Sequence, residues 1–577
     1  MTCTTIKDIL TQSEQRWGSM DAIRYKVSKN TIEAKTYTDL KKDSESFSLT
    51  IQALGEQGSH IALTGATSYG WIAAYFGIVD GGSVAVPLDA SLPAEELCEL
   101  IDRSDATVFV MDDTRKDVTE LLKEHCPKVK YLILLGDGKD IVSVSSDTNR
   151  SHNGSSGNSS TVNSGASSSN SSAANSSASG DNNSAVNCSV SSDNNSAVNC
   201  SVSSDNSTAA GGQCRLTTLS FWELIREHAG SCTFEPEPDM LATIMFTSGT
   251  TGKSKGVMLT HRNLAENATC LDMKFPERTV LLSVLPIHHA YCLSMDILKG
   301  LSVGSIICIN DSLMRVAKNI KLFEPNVILM VPLIIETMAK KLQDTVGVPP
   351  AVVKRMVFGK QLHTICSGGA YLAPDLLDLF QKYDITILQG YGMTECSPVI
   401  STTLSWNIRK GSVGQLLPNC EAKTVDEELW VRGSSVMQGY YKMPEETAET
   451  LTDGWLHTGD LGYADEEGFV YLTGRKKNLI ITKNGENVSP EELENKLVEH
   501  RLVQEILVHE SEGLIEAEIF PDLEYAKKKH VKDVPAALQE LVDQYNQTAP
   551  LYKRIYKLTV RETEFEKTTS KKIKRYK

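Results

Sequence analysis

No two of the thirteen cysteines stand at the C-x-x-C spacing of a redox pair or a zinc ribbon, and their number is odd. Scattered thiols of this kind point to a reduced, intracellular protein rather than a disulfide scaffold. A long apolar run is missing too. The longest, around NVILMVPLII, falls well short of the ~20 residues a membrane-spanning helix needs, so no transmembrane segment is expected. The N-terminus, MTCTTIKDILTQSEQRW, lacks the basic start and apolar stretch of a signal peptide, which makes a cytoplasmic location the expectation. Positive charge is in deficit: 58 Lys and Arg face 73 Asp and Glu, a net charge of −15. That balance argues against a general nucleic-acid binder, which draws its affinity from neutralising phosphates.

What is present describes an ordinary globular chain, 41% hydrophobic and 23% charged. Its 577 residues exceed what one core holds, since single cores rarely grow past ~250–300 residues. Residues 143–212 break the composition with Ser, Asn, Gly and Ala, and DNNSAVNCSVSS repeats in tandem from Asp181 and Asp193. A β-helix or stalk would need large apolar residues to stack, and almost none occur. The segment is therefore expected to be a disordered insertion, tolerated because loop-closure entropy grows slowly with length.

On either side of it, short unbroken apolar runs alternate with amphipathic ones. HIALTG, SVAVPL, TVFVMDD, ATIMFT, TVLLSVLPI, SIICIN and NVILMVP are expected as strands. SYGWIAAYFGIVDGG, PAEELCELIDRSD, RNLAENATCLDM, SMDILKGLSVG and RVAKNIKLF are expected as helices. This rhythm predicts α/β layering with largely parallel sheets. Beyond about Asp426 short strands and Gly/Asp turns take over, as in EELWVRG and GWLHTGDLG. A last α+β unit begins near GRKKNLIITKNGENV. In it SPEELENKL reads as a helix start, with Ser489 as N-cap, Pro490 in the first turn and Glu492 three residues past the cap.

TSGTTGKSKG, residues 247–256, follows an apolar strand and is dense in Gly, Ser and Thr. Such a loop can turn amides and hydroxyls inward around phosphate oxygens, with two lysines as counter-charge; a plain surface turn is the alternative. It is not a Walker loop. Gly252, Lys253 and Ser254 fill the end of G-x-x-x-x-G-K-[ST], but Thr247 stands at the first glycine. Further along stand SGGAYL (Ser367 to Leu372), QGYGMTE (Gln389 to Glu395), GWLHTGDLG, GRKKNLIITKNGENVSPEELE and FEKTTSKKIKR.

The loop resembles, nearly letter for letter, the [ST]-S-G-T-T-G-x-P-K-G signature of the adenylate-forming enzymes, with Ser254 in place of proline. The other five stretches follow that superfamily's motifs in order, the last with Lys571 in place of glycine. The resemblance covers the chain except the Ser/Asn insertion, and within the superfamily it is nearest to long-chain fatty acid–CoA ligases. It implies a large α/β N-terminal domain of layered sheets with a β-rich subdomain, residues 1–476. A small mobile α+β C-terminal domain, residues 477–577, follows.

It also implies roles. Thr247, Ser248, Gly249, Thr250, Thr251, Gly252 and Lys255 would hold the phosphates of ATP, and Gly368, Gly369 and Ala370 would pack on adenine. Gln389, Gly390, Tyr391 and Gly392 would border the nucleotide, with Thr394 at the α-phosphate and Glu395 as the Mg2+ ligand. Asp460 and Arg475 would take the ribose, Lys477 would be the hinge, and Gly485 would line the coenzyme A tunnel. Lys572 would be the mobile catalytic lysine, bridging the acid's carboxylate and the α-phosphate.

LPIHHAYCL matches the motif beside the family's acyl pocket, with His289 orienting the acid and His288 structural. Amino-acid-activating relatives carry an aspartate there. The first one here is Asp296, later and inside an apparent helix, which disfavours an amino acid. The expected reaction is ATP-dependent activation of a carboxylic acid, a medium- or long-chain fatty acid, followed by transfer to coenzyme A. Loading of a separate acyl carrier protein, or use of an aryl acid, stays open. A catalytically silent relative and a P-loop hydrolase are the readings from other classes. Nothing after Lys577 offers a carrier domain, so the acceptor is expected to be free coenzyme A or a separate protein.

Overall fold

The computed structural model describes residues 3–28, 31–136, 216–247, 254–343, 345, 347–482, 486–511, 514–567 and 573–575. The expected insertion at 143–212 lies outside them. Its flanks do not: the strands Tyr131–Leu134 and Thr217–Ser220 pair directly and in parallel.

Two large sheets carry the chain. In the first, Leu241–Thr247, Val84–Leu88, His60–Thr64, Ala106–Met111, Tyr131–Leu134 and Thr217–Ser220 run parallel, and Lys255–Thr260 and Gly439–Tyr440 extend it antiparallel. In the second, the parallel block runs Thr386–Gly392, Thr364–Ser367, Val327–Met330, Val280–Ser283, Ile306–Ile309 and Asp21–Lys26, with antiparallel strands at both edges. Every residue of Val84–Leu88, Ile306–Ile309 and Val327–Met330 is buried, because helices cover both faces of such strands. Pro87 has no N–H to give, and Val84–Leu88 meets Leu241–Thr247 only at Ala85 opposite Thr243.

The helices begin where side chains can take up their first N–H groups. Ser68 accepts from the Trp71 N–H ahead of Tyr69–Asp80, a helix buried all round between neighbours. Capping boxes at Thr5/Asp8, Thr36/Asp39 and Thr260/Asn263 start three more. The stretch SMDILKGLSVG is helical but wider than expected: a π-helix at Cys292–Leu298 passes into an α-turn at Lys299–Ser302.

A five-stranded antiparallel sheet, Cys420–Val425, Glu428–Gly433, Trp455–Ala464, Leu451–Thr452 and Val470–Arg475, follows the two large ones. After it, the sheet Val503–Ser511, Leu514–Pro521 and Lys557–Val560 packs with the helices Pro490–Val498 and Val534–Thr548 on a core of their own, among them Leu493, Val508, Ile519 and Leu538. The helix at Pro490 starts where its sequence says, but Ser489 does not cap it by side chain. Its hydroxyl donates to Glu491 Oε2 at 2.9 Å and accepts from no helix N–H. Among the described residues no helix is long and apolar enough to cross a membrane.

Candidate active site

Among the described residues, Thr247, Gly368, Gly369, Ala370 and Gln389 to Gly392 sit at or just past the carboxyl ends of parallel strands. Thr247 ends its strand opposite Lys255, the first residue of the returning strand. Ser248, Gly249, Thr250, Thr251 and Gly252 lie outside the described residues. The far end of that loop is held by Arg103, whose guanidinium donates to the Ser254 carbonyl at 2.7 Å.

Lys255 reaches over the ring of Tyr440, its Nζ 4.6 Å from the centroid, a cation–π contact. The Tyr440 hydroxyl donates to Glu395 Oε1 at 2.8 Å. One buried ring therefore ties the loop's lysine to the carboxylate expected to hold Mg2+. Glu395 sits on the short 3-10 turn Thr394–Cys396, and its carbonyl accepts the Met437 N–H at 2.9 Å. Its other carboxylate oxygen has no hydrogen-bond partner among the described residues. No group of three or more His, Cys, Asp or Glu that could cage a metal occurs among them either. A single carboxylate nonetheless fits Mg2+, which takes one or two carboxylates and completes its octahedron with phosphate oxygens and water.

A second cluster lies four residues back along the same segment. Asp460 and Arg475 are register partners on Trp455–Ala464 and Val470–Arg475, with Arg475 Nε 2.6 Å from Asp460 Oδ1. The Tyr391 hydroxyl donates to Asp460 Oδ2 at 2.7 Å. Asp460 is buried and both its oxygens are already engaged. Hydroxyls arriving there would share the remaining lone pairs with Tyr391 and Arg475 rather than meet a bare carboxylate.

Gly392 makes this segment possible. A Cβ there would lie 1.9 Å from the Pro398 carbonyl oxygen, to which the Met393 N–H donates at 2.9 Å as the chain doubles back. Gly392→Ala is expected to destabilise the fold by about 2 kcal/mol or more, because backbone must move. Gly390→Ala, whose Cβ would meet nothing nearer than 3.8 Å, should leave the midpoint of urea unfolding almost where it was. Denaturation curves of the two variants check this. Gln389 pairs with Ser367 across the parallel strands, which brings Gly368, Gly369 and Ala370 alongside. Gly369 has φ +87°, and a Cβ on Gly368 would lie 3.0 Å from the Tyr291 ring.

His288 and His289 follow the strand Val280–Ser283, with ring centroids 4.2 Å apart. Burial, helped by His289 and opposed by Asp89, pushes His288 down to about 3. It is neutral near pH 7, so its 3.6 Å approach to Asp89 is not an ion pair. Asp296 is fully buried in the π-helix, accepting from the Ser283 hydroxyl at 2.9 Å. It does not line the neighbouring cavity, which encloses at most about 590 Å3, its solvent-open mouth included, among Leu271, Met273, Phe275, Tyr291, Met295 and Leu329. Gly390 and Cys366 close the side next to the two clusters, and Lys299 also lines it.

Residues 10–441 match the family described as AMP-binding enzyme, and residues 477–577 match the AMP-binding enzyme C-terminal domain. The chain belongs to the AMP-binding enzyme family. It is 32% identical over 298 residues to a long-chain-fatty-acid–CoA ligase of Escherichia coli O157:H7, covering 47% of this chain and 50% of that one. Over 321 residues it is 34% identical to 4-coumarate–CoA ligase-like 6 of Arabidopsis thaliana, covering 50% and 54%. The chain thus spans about half the length of the curated relatives it matches. In fold it is similar to an anthranilate CoA ligase in complex with anthranoyl-AMP (TM-score 0.74, 19% identity, 99% of this chain and 95% of that one). It is also similar to the o-succinylbenzoate coenzyme A synthetase of Bacillus subtilis in complex with ATP and magnesium ion (0.69, 23%, 98% of each).

Two polar residues of this AMP-binding enzyme escape a reading of the motifs. Tyr440 lies 45 residues after Glu395 and is brought to it only by strand pairing with Lys255–Thr260. Glu428, buried on the strand Glu428–Gly433, accepts from the Gly459 N–H at 2.8 Å and pairs with Lys476 at 2.9 Å. Burial works against its charge, but Lys476 and the Gly459 amide hold its carboxyl below the usual range. One carboxylate so anchors the residue before Asp460 and the residue before Lys477. The alternating pattern of EELWVRG marks Glu428 as a strand residue and nothing more. Lys477 lies on the turn Lys476–Asn478; Gly485 and Lys572 lie outside the described residues.

Proposed function

We propose that this chain is an AMP-forming acid–CoA ligase. It joins a carboxylic acid to the α-phosphate of ATP, releasing pyrophosphate, and passes the acyl group from the adenylate to the thiol of coenzyme A. The observation that carries this is the segment Gln389–Glu395. It ties Lys255, Tyr440 and Glu395 on one side to Tyr391, Asp460 and Arg475 on the other, beside an apolar cavity.

In the first step an anion attacks an anionic phosphate, so charge must be cancelled and the reactants aligned. Lys255 and the loop from Thr247 neutralise the leaving pyrophosphate, and Asp460 with Arg475 fixes the ribose. Glu395 would hold Mg2+, which when bound draws charge from the phosphate oxygens. Lys572 comes from the C-terminal domain to bridge carboxylate and α-phosphate, and that domain turns about Lys477 for the thioester step. The match of a separate family domain from residue 477 and the separate core of residues 480–560 support a pivot there. A cytoplasmic location goes with this reading.

The lining of Leu271, Met273, Phe275 and Met295 suits a medium- or long-chain fatty acid. An aryl acid is the second reading, favoured by identities of 34% and 36% to relatives named 4-coumarate–CoA ligase-like 6 and 4-coumarate–CoA ligase. Acid-dependent pyrophosphate and AMP release, measured with fatty, aryl and amino acids and with coenzyme A present or withheld, separates these. ADP as product, or release indifferent to the acid, overturns the proposal. Adenylate that forms but never reaches coenzyme A would point to a carrier protein.

A further inference from the structure

We infer that the acid this chain activates carries a second carboxylate at its far end, held by Lys299 in the apolar cavity. The substrate so defined, a dicarboxylic acid of medium chain length, presupposes the acid–CoA ligase activity proposed above.

Lys299 is 8% exposed and lines a cavity otherwise built largely of Leu, Met, Phe and Tyr side chains. Its ammonium carries three N–H donors. Among the described residues its one hydrogen-bond acceptor is the Leu271 carbonyl. Asp272, the carboxylate whose charge acts on it, makes no ion pair with it and accepts the Lys274 N–H at 2.8 Å. Two other polar side chains lining the cavity, Asn267 and Thr402, are already engaged. The Asn267 amide donates to the Cys396 and Val399 carbonyls and the Ser435 hydroxyl, and accepts the Val399 N–H. The Thr402 hydroxyl donates to the Gln389 carbonyl at 3.4 Å.

A cation so placed is costly, because burying a charge without a partner costs several kcal/mol, and an apolar side chain of similar length would avoid the cost. Burial accordingly pushes Lys299 below the ordinary range of a lysine. An arriving carboxylate reverses this by supplying the missing acceptors, while a methyl-ended chain leaves the ammonium buried against hydrocarbon. The position is also right for a far end. Tyr291, Met295 and Lys299 recur every four residues on one face of the same helical run and all line the cavity. Tyr291 touches Gly368 at the nucleotide side. Lys299 lies eight residues further along that run, no more than about 12 Å even at the α-helical rise.

The test uses the full chain with ATP, Mg2+ and coenzyme A and compares decanedioic, ω-hydroxydecanoic and decanoic acids by pyrophosphate release. Decanedioic acid is expected to exceed decanoic acid in kcat/KM by roughly tenfold or more, since a site built to pair a polar group rejects the analogue that lacks it. The ω-hydroxy acid should fall between them. Lys299→Met should collapse the diacid-to-monoacid ratio, and Lys299→Arg should keep the diacid ahead. A wild-type ratio at or below unity overturns the inference without any variant, as does a Lys299→Met ratio equal to that of wild type. Release with decanoic but not decanedioic acid leaves the ligase activity standing and sinks only the second carboxylate. Release with no acid at all sinks both.

Discussion

Glu395→Gln lowers acid-dependent pyrophosphate release by roughly 10²–10³-fold at saturating ATP, the loss expected when one preorganised electrostatic contact to the reacting phosphate is removed. The glutamine keeps the shape and can still accept from Tyr440, so the protein should fold and its urea midpoint should barely move. What it cannot do is give a charged oxygen to Mg2+. The Mg2+ concentration for half-maximal rate should therefore rise in the variant. Tyr440→Phe is the companion experiment. It removes the 2.8 Å hydrogen bond to Glu395 but leaves the ring beneath Lys255. A hydrogen bond to a charged group contributes about 1.5–3 kcal/mol, so a loss of roughly 10- to 100-fold is expected. Because Tyr440 acts through Glu395, the double variant should be little worse than Glu395→Gln alone. Full activity and unchanged Mg2+ dependence in Glu395→Gln would remove Glu395 from the metal site.

Lys572→Ala separates the two half-reactions. Formation of the adenylate should fall by roughly 10²–10³-fold or more, as for a lost oxyanion donor, while thioester formation from supplied acyl-adenylate continues. The asymmetry follows from the division of labour. In the proposed mechanism the lysine would neutralise charge only while carboxylate and α-phosphate are being joined, and the thioester step would use a different face of the C-terminal domain. A supplied adenylate also bypasses ATP and Mg2+. Equal loss in both half-reactions would mean that Lys572 supports folding or domain closure rather than the chemistry of the first step.

Much of this was legible along the chain because the signals are local. Strands such as SIICIN and NVILMVP announce themselves by unbroken apolar runs, since a parallel strand covered on both faces has no polar side to show. The signal at TSGTTGKSKG is equally local: ten consecutive residues carry its glycines, hydroxyls and lysines. Asp460 and Arg475 stand in motifs 15 residues apart, and antiparallel pairing makes them neighbours. Less legible was how these groups are held. Ser489, in a sequence typical of a capping residue, turns to Glu491, because a side-chain hydroxyl goes to whichever acceptor the packing offers.

By itself, then, the order of residues determined the α/β layering, the family and, through the family's motifs, the type of reaction to look for. The layering follows from the period of apolar side chains, and the family and reaction from motifs that are each a short run of consecutive residues. Only the tertiary structure decided that Tyr440 stands between Lys255 and Glu395, that Glu428 anchors the turn before Lys477, and that Lys299 is buried in the cavity. Those pairings join residues tens of positions apart. They arise from which strands lie side by side, and no periodicity along the chain records that.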